Sequence, residues 1–368
     1  MEAIFLIAFF VVCALLIGLF LFWWHQIRRP LALVREKENP ILKPIREHWW
    51  ESEAVFNPAA FYHDGRVHLF YRAMGHDGIS RIGYASSKDG IHFDVRLPYP
   101  VFEPRPGFGL PSKDKRHGPL SYETMTYSSG GGWGGTEDPK VTKIGDRIYM
   151  TYVNNNGWDD LRVAITSISV EDFNAGNWNW SNPRIMSRPG EINKSAVLMS
   201  QKIQQKFVIF HRVFPNILID HLDSLDFPPG KYLGTKERID VRKDGWDSRK
   251  ISIAASPIRI KEGWLAIYHA VDDRDPGKYK TGAMILDAKD PSHVLYRTSR
   301  PILSPDAWYE NEAKYGVVYP SGAVVVGNTL FVYYGAGDKY VAAAHADIRE
   351  FVHKLMTNGN VMLSPVRN

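Results

Sequence analysis

Apolar strands and polar turns alternate in a pattern that repeats five times along the chain. Each copy is a short apolar strand that follows a turn and ends in an aromatic residue or histidine. The copies lie at residues 68–73, 149–153, 208–213, 265–270 and 331–336. A second strand follows each copy, at residues 79–86, 160–167, 217–222, 280–286 and 340–346. The pattern therefore predicts a chain built from repeated β units.

Such a unit, roughly 60 residues long, cannot bury both faces of its small sheet by itself. Five units arranged around a central axis bury these faces against one another and leave only short edges. We therefore predict an all-β fold, a five-bladed β-propeller over residues 51–357, followed by a C-terminal tail at 358–368. A β-sandwich is the alternative, but it does not account for a repeat that includes both the turn and the second strand.

The first segment differs from the rest because residues 3–24 contain no charged or strongly polar side chain. As a helix they would span roughly 33 Å, enough to cross a bilayer. Trp23 and Trp24, with arginines soon after them, are typical of a membrane interface. We predict a transmembrane anchor at residues 1–25. A cleaved signal peptide, which would begin with basic residues, and a helix packed against the domain are the alternatives.

Residues 26–50 are interpreted as a charged connector. Six Lys and Arg residues lie between His25 and Trp50, and none precedes the apolar segment. Because basic residues flank the cytoplasmic end of a membrane span, the pattern predicts a single-pass membrane protein with its large domain in the cytoplasm. The membrane is then expected to be a partner through residues 3–24.

Composition argues against several classes of partner and site. The chain has 368 residues and a net charge of +5, and its basic residues are scattered, so no nucleic-acid partner is expected. Cys13 is the only cysteine, which excludes a disulfide within the chain. The 13 histidines show no metal-binding spacing, so no metal is expected. A homo-oligomer is compatible with this composition.

A long insertion separates the first two copies and ends beside a candidate acid. It covers residues 98–135 and is rich in Pro, Gly and Ser; long ordered loops often carry function. Its glycines match G-x-G-x-x-G, but no strand-to-helix context supports a dinucleotide site. Asp138 follows in Glu-Asp-Pro, and Pro139 is expected to hold the Asp138 backbone extended. Asp138 is either a carboxylate that faces a ligand or a turn former.

Cationic residues recur at equivalent positions of the copies. Arg72, Arg212 and His269 follow the terminal aromatic residue or histidine of copies one, three and four. Lys194 precedes the apolar run 196–199, and Lys250 lies in Trp-Asp-Ser-Arg-Lys-Ile at 246–251. Equivalent positions of successive blades converge on the axis of a propeller, where several cations would require an anion. Phosphate suits them because Arg offers a planar fork and Lys a point charge. Surface charges or salt bridges are the alternative.

Short motifs in a single order along the chain point to one family. They include Asn-Pro-Ala at 57–59, Tyr-Arg-Ala at 71–73, Ser-Arg-Ile-Gly at 80–83, Glu-Asp-Pro-Lys at 137–140, Asn-Lys-Ser-Ala at 193–196, His-Arg at 211–212 and Tyr-Tyr-Gly-Ala-Gly-Asp at 333–338. Together they resemble glycoside hydrolase family 130, the β-mannoside phosphorylases and related β-mannosidases. The family fold is a five-bladed β-propeller, which agrees with the number of copies.

The resemblance implies a role for each candidate residue. Asp138 would be the general acid, which protonates the glycosidic oxygen through a sugar hydroxyl that acts as a relay. The residues implied to hold the mannosyl unit are Asn57, Arg72, Arg81 and Asp338. The residues implied to bind phosphate are Lys194, Arg212, Lys250, His269 and Tyr279. Inorganic phosphate is then a co-substrate, and no cofactor is implied. Two positions depart from the family: Lys140 stands where Arg is usual, and Ser195 where Asp is frequent.

The candidate residues favour phosphorolysis over hydrolysis. An inverting hydrolase needs a second carboxylate to activate water, whereas a phosphorylase needs an acid and a cationic site. We therefore expect phosphate to attack the anomeric carbon of a β-mannoside and give α-mannose 1-phosphate, or the reverse synthetic reaction. The alternatives are an inverting β-mannosidase, a β-mannosyltransferase that uses a nucleotide sugar, and a non-catalytic glycan-binding propeller.

Overall fold

The computed structural model describes residues 15, 17–18, 31–110, 132–157, 160–234 and 237–357. The chain divides into two compact units, Met1–Ala32 and Leu33–Asn368. The second unit contains every strand described below, beginning with a short one, β1 (Val34–Arg35). This strand lies within the stretch interpreted as a charged connector.

The predicted membrane helix requires a correction. Among the described residues, no helix has the length and apolar character needed to cross a bilayer. A crossing takes about 20 residues, whereas the longest helix in the described ranges has 10. The predicted anchor at residues 1–25 lies outside the described residues except for Leu15, Ile17 and Gly18. The prediction of a transmembrane helix is wrong, and so is the single-pass membrane localisation that depends on it.

The first two blades share one continuous sheet. Blade 1 contains β2 (Ala54–His63), β3 (Arg66–Met74), β4 (Ile79–Ser87) and β5 (Val95–Arg96). The insertion contributes a small parallel pair, β6 (Arg105–Pro106) and β7 (Gly109–Leu110). Blade 2 contains β8 (Gly134–Ile144), β9 (Arg147–Asn155), β10 (Leu161–Ser169) and β11 (Arg184–Ile185). Strands β4 and β8 join the two blades by a short parallel pairing.

The other three blades form separate antiparallel sheets. Blade 3 contains β12 (Asn193–Leu198), β13 (Phe207–Val213), β14 (Asn216–Leu222) and β15 (Arg238–Ile239). Blade 4 contains β16 (Lys250–Ile253), β17 (Ile258–Ile260), β18 (Gly263–Asp272), β19 (Asp275–Leu286) and β20 (Val294–Arg297). Blade 5 contains β21 (Val318–Val326), β22 (Thr329–Ala336) and β23 (Tyr340–Asp347), and β1 pairs with β23 as its fourth strand.

Within the described residues from Leu33 onward, three short helical segments lie outside the sheets. They are α1 (Val170–Asn174), a 3₁₀ turn (Trp308–Glu310) and α2 (Ile348–Thr357). Helix α1 follows β10, and the Ser169 hydroxyl caps it by accepting a hydrogen bond from the backbone N–H of Asp172. The described strands thus form five units, and the all-β part of the prediction is confirmed.

The five sequence copies are the second strands of the five blades, β3, β9, β13, β18 and β22. Their apolar residues pack between neighbouring blades. One cluster between blades 1 and 5 includes Val55, Leu69 and Tyr333, and another, between blades 3 and 4, includes Phe210 and Trp264. Because apolar burial is the main favourable contribution to folding, each blade depends on its neighbours for stability.

The first strand of each blade lies innermost. Strand β2 contacts β8 and β21, and β12 contacts β8 and β16, so these strands neighbour one another around the axis. Gly135 on β8 allows the close approach to blade 1. Its φ is 120°, and a Cβ at this position would overlap the backbone of Ser80. Glycine is required here because any other residue would separate β8 from β4.

Candidate active site

The innermost strands of blades 1 and 2 carry the same backbone irregularity. Asn57 on β2 and Asp138 on β8 both lie at β-bulges, both precede proline, and their φ angles are 48° and 49°. The expectation that Asp138 is extended is therefore wrong. Asn and Asp tolerate this left-handed conformation better than most residues. Strained backbone of this kind persists where the surrounding structure fixes it, often at functional sites.

The bulges bring the two side chains into direct contact. Asn57 Nδ2 donates to Asp138 Oδ1 at 2.7 Å, and Arg72 Nη1 donates to the same oxygen at 3.3 Å. Arg72 also binds Glu137 Oε1 at 3.1 Å and Ser80 Oγ at 2.9 Å. Both described hydrogen bonds to the carboxylate end on Oδ1. Within the described part of the chain, Oδ2 is therefore the oxygen available to carry the proton that is donated to the substrate.

The charge state of Asp138 depends on its cationic neighbours. Burial alone would raise its pKa, but Arg72, Lys194 and the hydrogen bond from Asn57 together hold the pKa below its usual range. The same carboxylates keep Arg72 charged: its pKa is raised despite complete burial because Glu137 and Asp138 surround it. In the absence of ligand, Asp138 is thus an ionised carboxylate within a positive field.

A second group of side chains, contributed by blades 3 and 4, faces this carboxylate. Lys250 Nζ donates to the Tyr279 hydroxyl at 2.6 Å. Burial opposes ionisation of Tyr279, but the positive charge of Lys250 dominates and lowers its pKa to about 8. Arg212 interacts electrostatically with Lys250 and with His269. Lys194 interacts with both Asp138 and Tyr279. The structure therefore brings together all five residues predicted to bind phosphate.

Burial lowers the proton affinity of this group. The pKa of Lys194 and that of Lys250 are lowered because each ammonium is removed from water. The pKa of His269 falls well below its usual value, first through burial and then through the charge of Arg212. Closely packed cations of this kind resist full protonation until an anion joins them.

Asp338, another residue of the predicted sugar-binding set, lies on blade 5. It lies in the turn between β22 and β23 with a φ of 51°, and its Oδ2 accepts an ion-pair hydrogen bond from Lys314 Nζ at 2.9 Å. Asp338 also interacts electrostatically with Arg72 and with Tyr319. It therefore belongs to the same site as Asn57, although its role in binding sugar stays a prediction.

Arg81 is the predicted site residue that the structure does not place with the others. Its guanidinium donates to both carboxylate oxygens of Asp77, at 3.1 and 2.7 Å, and lies 4.4 Å from the centre of the Trp49 ring. Among the described residues it has no hydrogen bond to Asn57, Asp138 or Asp338. Its predicted contact with the mannosyl unit stays a prediction.

Two residues of this site were not predicted from the sequence. Tyr319 lies on the innermost strand of blade 5, and its ring centre is 4.2 Å from that of His269. Lys140, noted only as a departure from the family, is buried and lies 5.5 Å from the Tyr319 ring. One sequence signal was available: Tyr319 precedes proline, as Asn57 and Asp138 do on the corresponding strands.

No group of three or more His, Cys, Asp or Glu side chains suited to a metal ion occurs in the described ranges. The expectation that the reaction uses no cofactor stays a prediction.

Comparison with known proteins identifies the family. The profile of glycoside hydrolase family 130 described as beta-1,4-mannooligosaccharide phosphorylase matches residues 122–357. The chain is 38% identical over 326 residues to the beta-1,2-mannobiose phosphorylase of Thermoanaerobacter sp. (strain X514), covering 85% of this chain and 96% of that protein. It is 35% identical over 331 residues to the 1,2-beta-oligomannan phosphorylase of the same organism, covering 87% and 99%. The chain belongs to glycoside hydrolase family 130, as predicted.

Solved structures share the fold. A beta-1,2-mannobiose phosphorylase from Listeria innocua, in complex with beta-1,2-mannobiose, matches with a TM-score of 0.67 at 24% identity, covering 88% of this chain and 99% of that chain. A putative glycoside hydrolase from Bacteroides ovatus ATCC 8483 matches with a TM-score of 0.64 at 26% identity, covering 90% and 100%. The fold therefore occurs in proteins described as phosphorylases and in proteins described as hydrolases.

Proposed function

We propose that this protein catalyses inverting phosphorolysis of β-mannosides and releases α-mannose 1-phosphate. The observation that carries this proposal is one buried carboxylate, Asp138, facing a convergent set of cationic and hydroxyl side chains. The prediction of a glycoside phosphorylase is confirmed by two curated relatives that are 38% and 35% identical to the chain. Both relatives are described as acting on β-1,2-linked mannosides, so we propose β-1,2-mannosides as the substrates.

The two other carboxylates near Asp138, Glu137 and Asp338, support phosphate rather than water as the nucleophile. Glu137 accepts hydrogen bonds from Arg72 and from Asn155 Nδ2, at 3.1 and 2.8 Å. Asp338 is paired with Lys314. An inverting hydrolase would need one of them as a general base that activates water, and a cation holds each of them instead. Phosphate needs no such base because it is already an anionic nucleophile.

The proposed reaction balances without a cofactor. A phosphate oxygen attacks the anomeric carbon as the bond to the glycosidic oxygen breaks. That oxygen keeps the electron pair and receives a proton that originates from Asp138. Hydrogenphosphate brings this proton into the site when it binds, and Asp138 is a carboxylate again once the proton has passed to the leaving oxygen. Net inversion follows because attack and departure occur on opposite faces of the sugar.

Phosphate binding also supplies the proton that Asp138 lacks in the ligand-free site. The pKa of Asp138 is low because Arg72 and Lys194 favour its charged form. Phosphate bound among the cations offsets their positive field and raises the pKa of the acid. The general acid is therefore expected to become competent only when the nucleophile is in place.

Phosphate dependence is the direct test of the function. We expect β-1,2-mannobiose to be consumed only when inorganic phosphate is present, with α-mannose 1-phosphate detected by ³¹P NMR. β-1,4-Mannobiose serves as the comparison substrate. Release of two free mannose molecules without phosphate would identify a hydrolase and refute the proposal.

The acid is tested by replacing Asp138 with Asn. We expect Asp138→Asn to lower kcat/KM on β-1,2-mannobiose by about 10²–10⁴-fold because the leaving oxygen loses its proton donor. The loss should be much smaller on an aryl β-mannoside whose leaving group needs no proton. Asp146→Asn, in the exposed turn after β8, is the matched control. Equal losses on both substrates would show that Asp138 is not the acid.

A further inference from the structure

The innermost strand of blade 2 carries a second buried ionisable side chain close to Asp138. Lys140 follows Asp138 by two residues, just beyond the bulge, and pairs across the sheet with Thr151. The residue is 3% exposed, and its Nζ has no hydrogen-bond partner in the described part of the chain. A buried ammonium without an acceptor is strongly unfavourable. The position is therefore suited to a ligand that brings an acceptor.

The neighbours of Lys140 place it between the acid and the cationic group. Its Nζ lies 5.5 Å from the centre of the Tyr319 ring, close enough for a cation–π contact. It interacts electrostatically with Asp138 and with His269. Asp138 is the one negative neighbour among these, and its Oδ1 already accepts two hydrogen bonds.

His269 presents the same unsatisfied chemistry from blade 4. It is 1% exposed, and neither ring nitrogen has a hydrogen-bond partner among the described residues. Its ring lies against Tyr319, which Lys140 also contacts. One anion with several oxygen atoms would satisfy both side chains together. A sugar hydroxyl would supply an acceptor but no charge to offset the nearby Arg212.

We propose that Lys140 is a further phosphate ligand and that it takes up a proton when phosphate binds. The inference rests on the proposed phosphorolysis, because phosphate is the anion that this reaction supplies. It adds to the residues that the family resemblance implies for phosphate. It also gives a function to a donor that the described part of the protein leaves unsatisfied.

The direction of proton movement follows from the surroundings of Lys140. Burial lowers its pKa to about 7, although Asp138 opposes the shift. Above that pH the free enzyme holds Lys140 largely neutral, and a phosphate anion beside it raises its pKa and draws a proton from solution. Well below that pH Lys140 is already charged, and binding needs no proton at this position. The titratable groups around it are Asp138, His269 and Tyr319, with Arg212 and Lys250 beyond His269.

The test compares four forms of the full-length enzyme. They are the wild type, Lys140→Met, Lys140→Arg and Lys143→Met, the last changing a more exposed lysine on the same strand. Calorimetry with inorganic phosphate at about pH 8, in buffers of different ionisation enthalpy, measures proton uptake. Taking the difference between wild type and Lys140→Met cancels the ionisation of phosphate itself. Steady-state kinetics gives KM separately for phosphate and for β-1,2-mannobiose.

For Lys140→Met we expect KM for phosphate to rise about tenfold or more and KM for mannobiose to change little. Proton uptake at about pH 8 should fall, while Lys143→Met matches the wild type. Lys140→Arg stays charged at alkaline pH. Compared with the wild type, it should therefore take up fewer protons when phosphate binds, and its affinity for phosphate should fall less as the pH rises. The melting temperature of Lys140→Met should not fall, because the change removes a buried cation.

Three outcomes would overturn the inference. The first is a Lys140→Met enzyme with unchanged KM for phosphate and unchanged proton uptake. The second is a rise in KM for mannobiose alone, which would assign Lys140 to the sugar. The third is an identical pH dependence of phosphate kcat/KM in Lys140→Arg and wild type. Failure of the proposed function itself is distinguishable, because the wild type would then turn over without phosphate.

Discussion

At the scale of single residues, the lack of a side chain at Gly335 determines where Asn57 lies. Gly335 follows the tyrosine at the end of β22, and a Cβ at this position would overlap Oδ1 of Asn57. Its φ is not in the left-handed region, so glycine is needed for space rather than for backbone conformation. Asn57 in turn holds Asp138 through the 2.7 Å hydrogen bond. The glycine thus acts on the acid through one intermediate residue.

Gly335→Ala is therefore expected to lower activity, with some loss of stability because the added methyl group would also lie 2.8 Å from the backbone nitrogen of Asn57. The added methyl group displaces the Asn57 amide and removes a hydrogen bond to a charged carboxylate, worth about 1.5–3 kcal/mol, so kcat/KM should fall about tenfold or more. Kinetics on β-1,2-mannobiose with phosphate checks this. Gly277→Ala, where a Cβ would meet no atom within 4 Å, is the matched control. Equal activity of the two variants would contradict the argument.

The sequence predicts those site residues whose charged side chains recur at equivalent positions of the copies. Arg212 and His269 occupy equivalent positions at the ends of the copies, so their convergence follows from the fold. Tyr319 and Lys140 were missed because their importance depends on what surrounds them. The amino-acid sequence does not show that Lys140 is 3% exposed or that its ammonium has no hydrogen-bond partner among the described residues.

At the scale of the strand, the terminal tyrosines of the copies link the inner and outer edges of three blades. In blade 4, Tyr268 donates to Asp247 Oδ2 at 2.9 Å, and Arg297 on the outermost strand binds the same carboxylate. The corresponding groups are Tyr71, Glu51 and Arg96 in blade 1, and Tyr334, Glu310 and Arg35 in blade 5. In blade 2, the hydroxyl of Tyr152 has no hydrogen-bond partner among the described residues.

This difference between blades predicts that replacing the terminal tyrosine with phenylalanine changes stability differently in blades 4 and 2. Tyr268→Phe should lower the free energy of unfolding by about 1–3 kcal/mol, because buried Asp247 loses a hydrogen bond. Tyr152→Phe should cost little or be stabilising, because it removes a buried hydroxyl with no described partner. Urea denaturation of both variants measures the free energies. A loss for Tyr152→Phe as large as that for Tyr268→Phe would refute this reading of the repeat.

The second and third strands of each blade could be predicted from sequence, but the first strands could not. Second strands are apolar on both sides because they lie in the middle of a blade between two neighbouring sheets. The innermost strands are interrupted by prolines and bulges, which break the period of two that identifies a strand. These irregularities place Asn57 and Asp138 in the left-handed conformation. The prolines and bulges that shape the site thus also prevent its strands from being recognised by their sequence pattern.

At the scale of the whole molecule, the ring is closed by pairing strands from opposite ends of the chain. Strand β1 adds to β23 by pairing Val34 with His345 and Arg35 with Ala344. The Arg35 guanidinium binds Glu310, whose side chain is fully buried, with Nε 2.8 Å from Oε1. Blade 5 is therefore complete only when the N-terminal strand is in place.

Arg35→Met is expected to lower the free energy of unfolding by about 2–3 kcal/mol. Breaking a buried ion pair leaves a carboxylate without its cation, and the partial exposure of Arg35 reduces the effect below that of a fully buried pair. Arg349→Met, at an exposed position of α2, is the control. Urea denaturation checks the stabilities, and equal stability of the two variants would show that β1 is not needed for closure.

The repeat count predicts the all-β architecture because five equivalent units must bury their faces against one another. The prediction of a membrane helix fails although apolar length, two tryptophans and flanking arginines support it. Length and composition state that a segment is able to span a bilayer, not that a spanning helix forms. Neither pattern identifies β1, since a two-residue strand has no period to detect.

The contact between Asn57 and Gly335 has a consequence for the order in which activity appears during folding. Asn57 belongs to the first blade, Asp138 to the second and Gly335 to the fifth, so the acid reaches its final surroundings only when the two ends of the ring meet. Catalytic turnover is then a late signal in refolding, later than the formation of strands within the separate blades. The rate at which activity recovers would therefore report the docking of blade 5 against blade 1. Spectroscopic probes of secondary structure would not resolve this step.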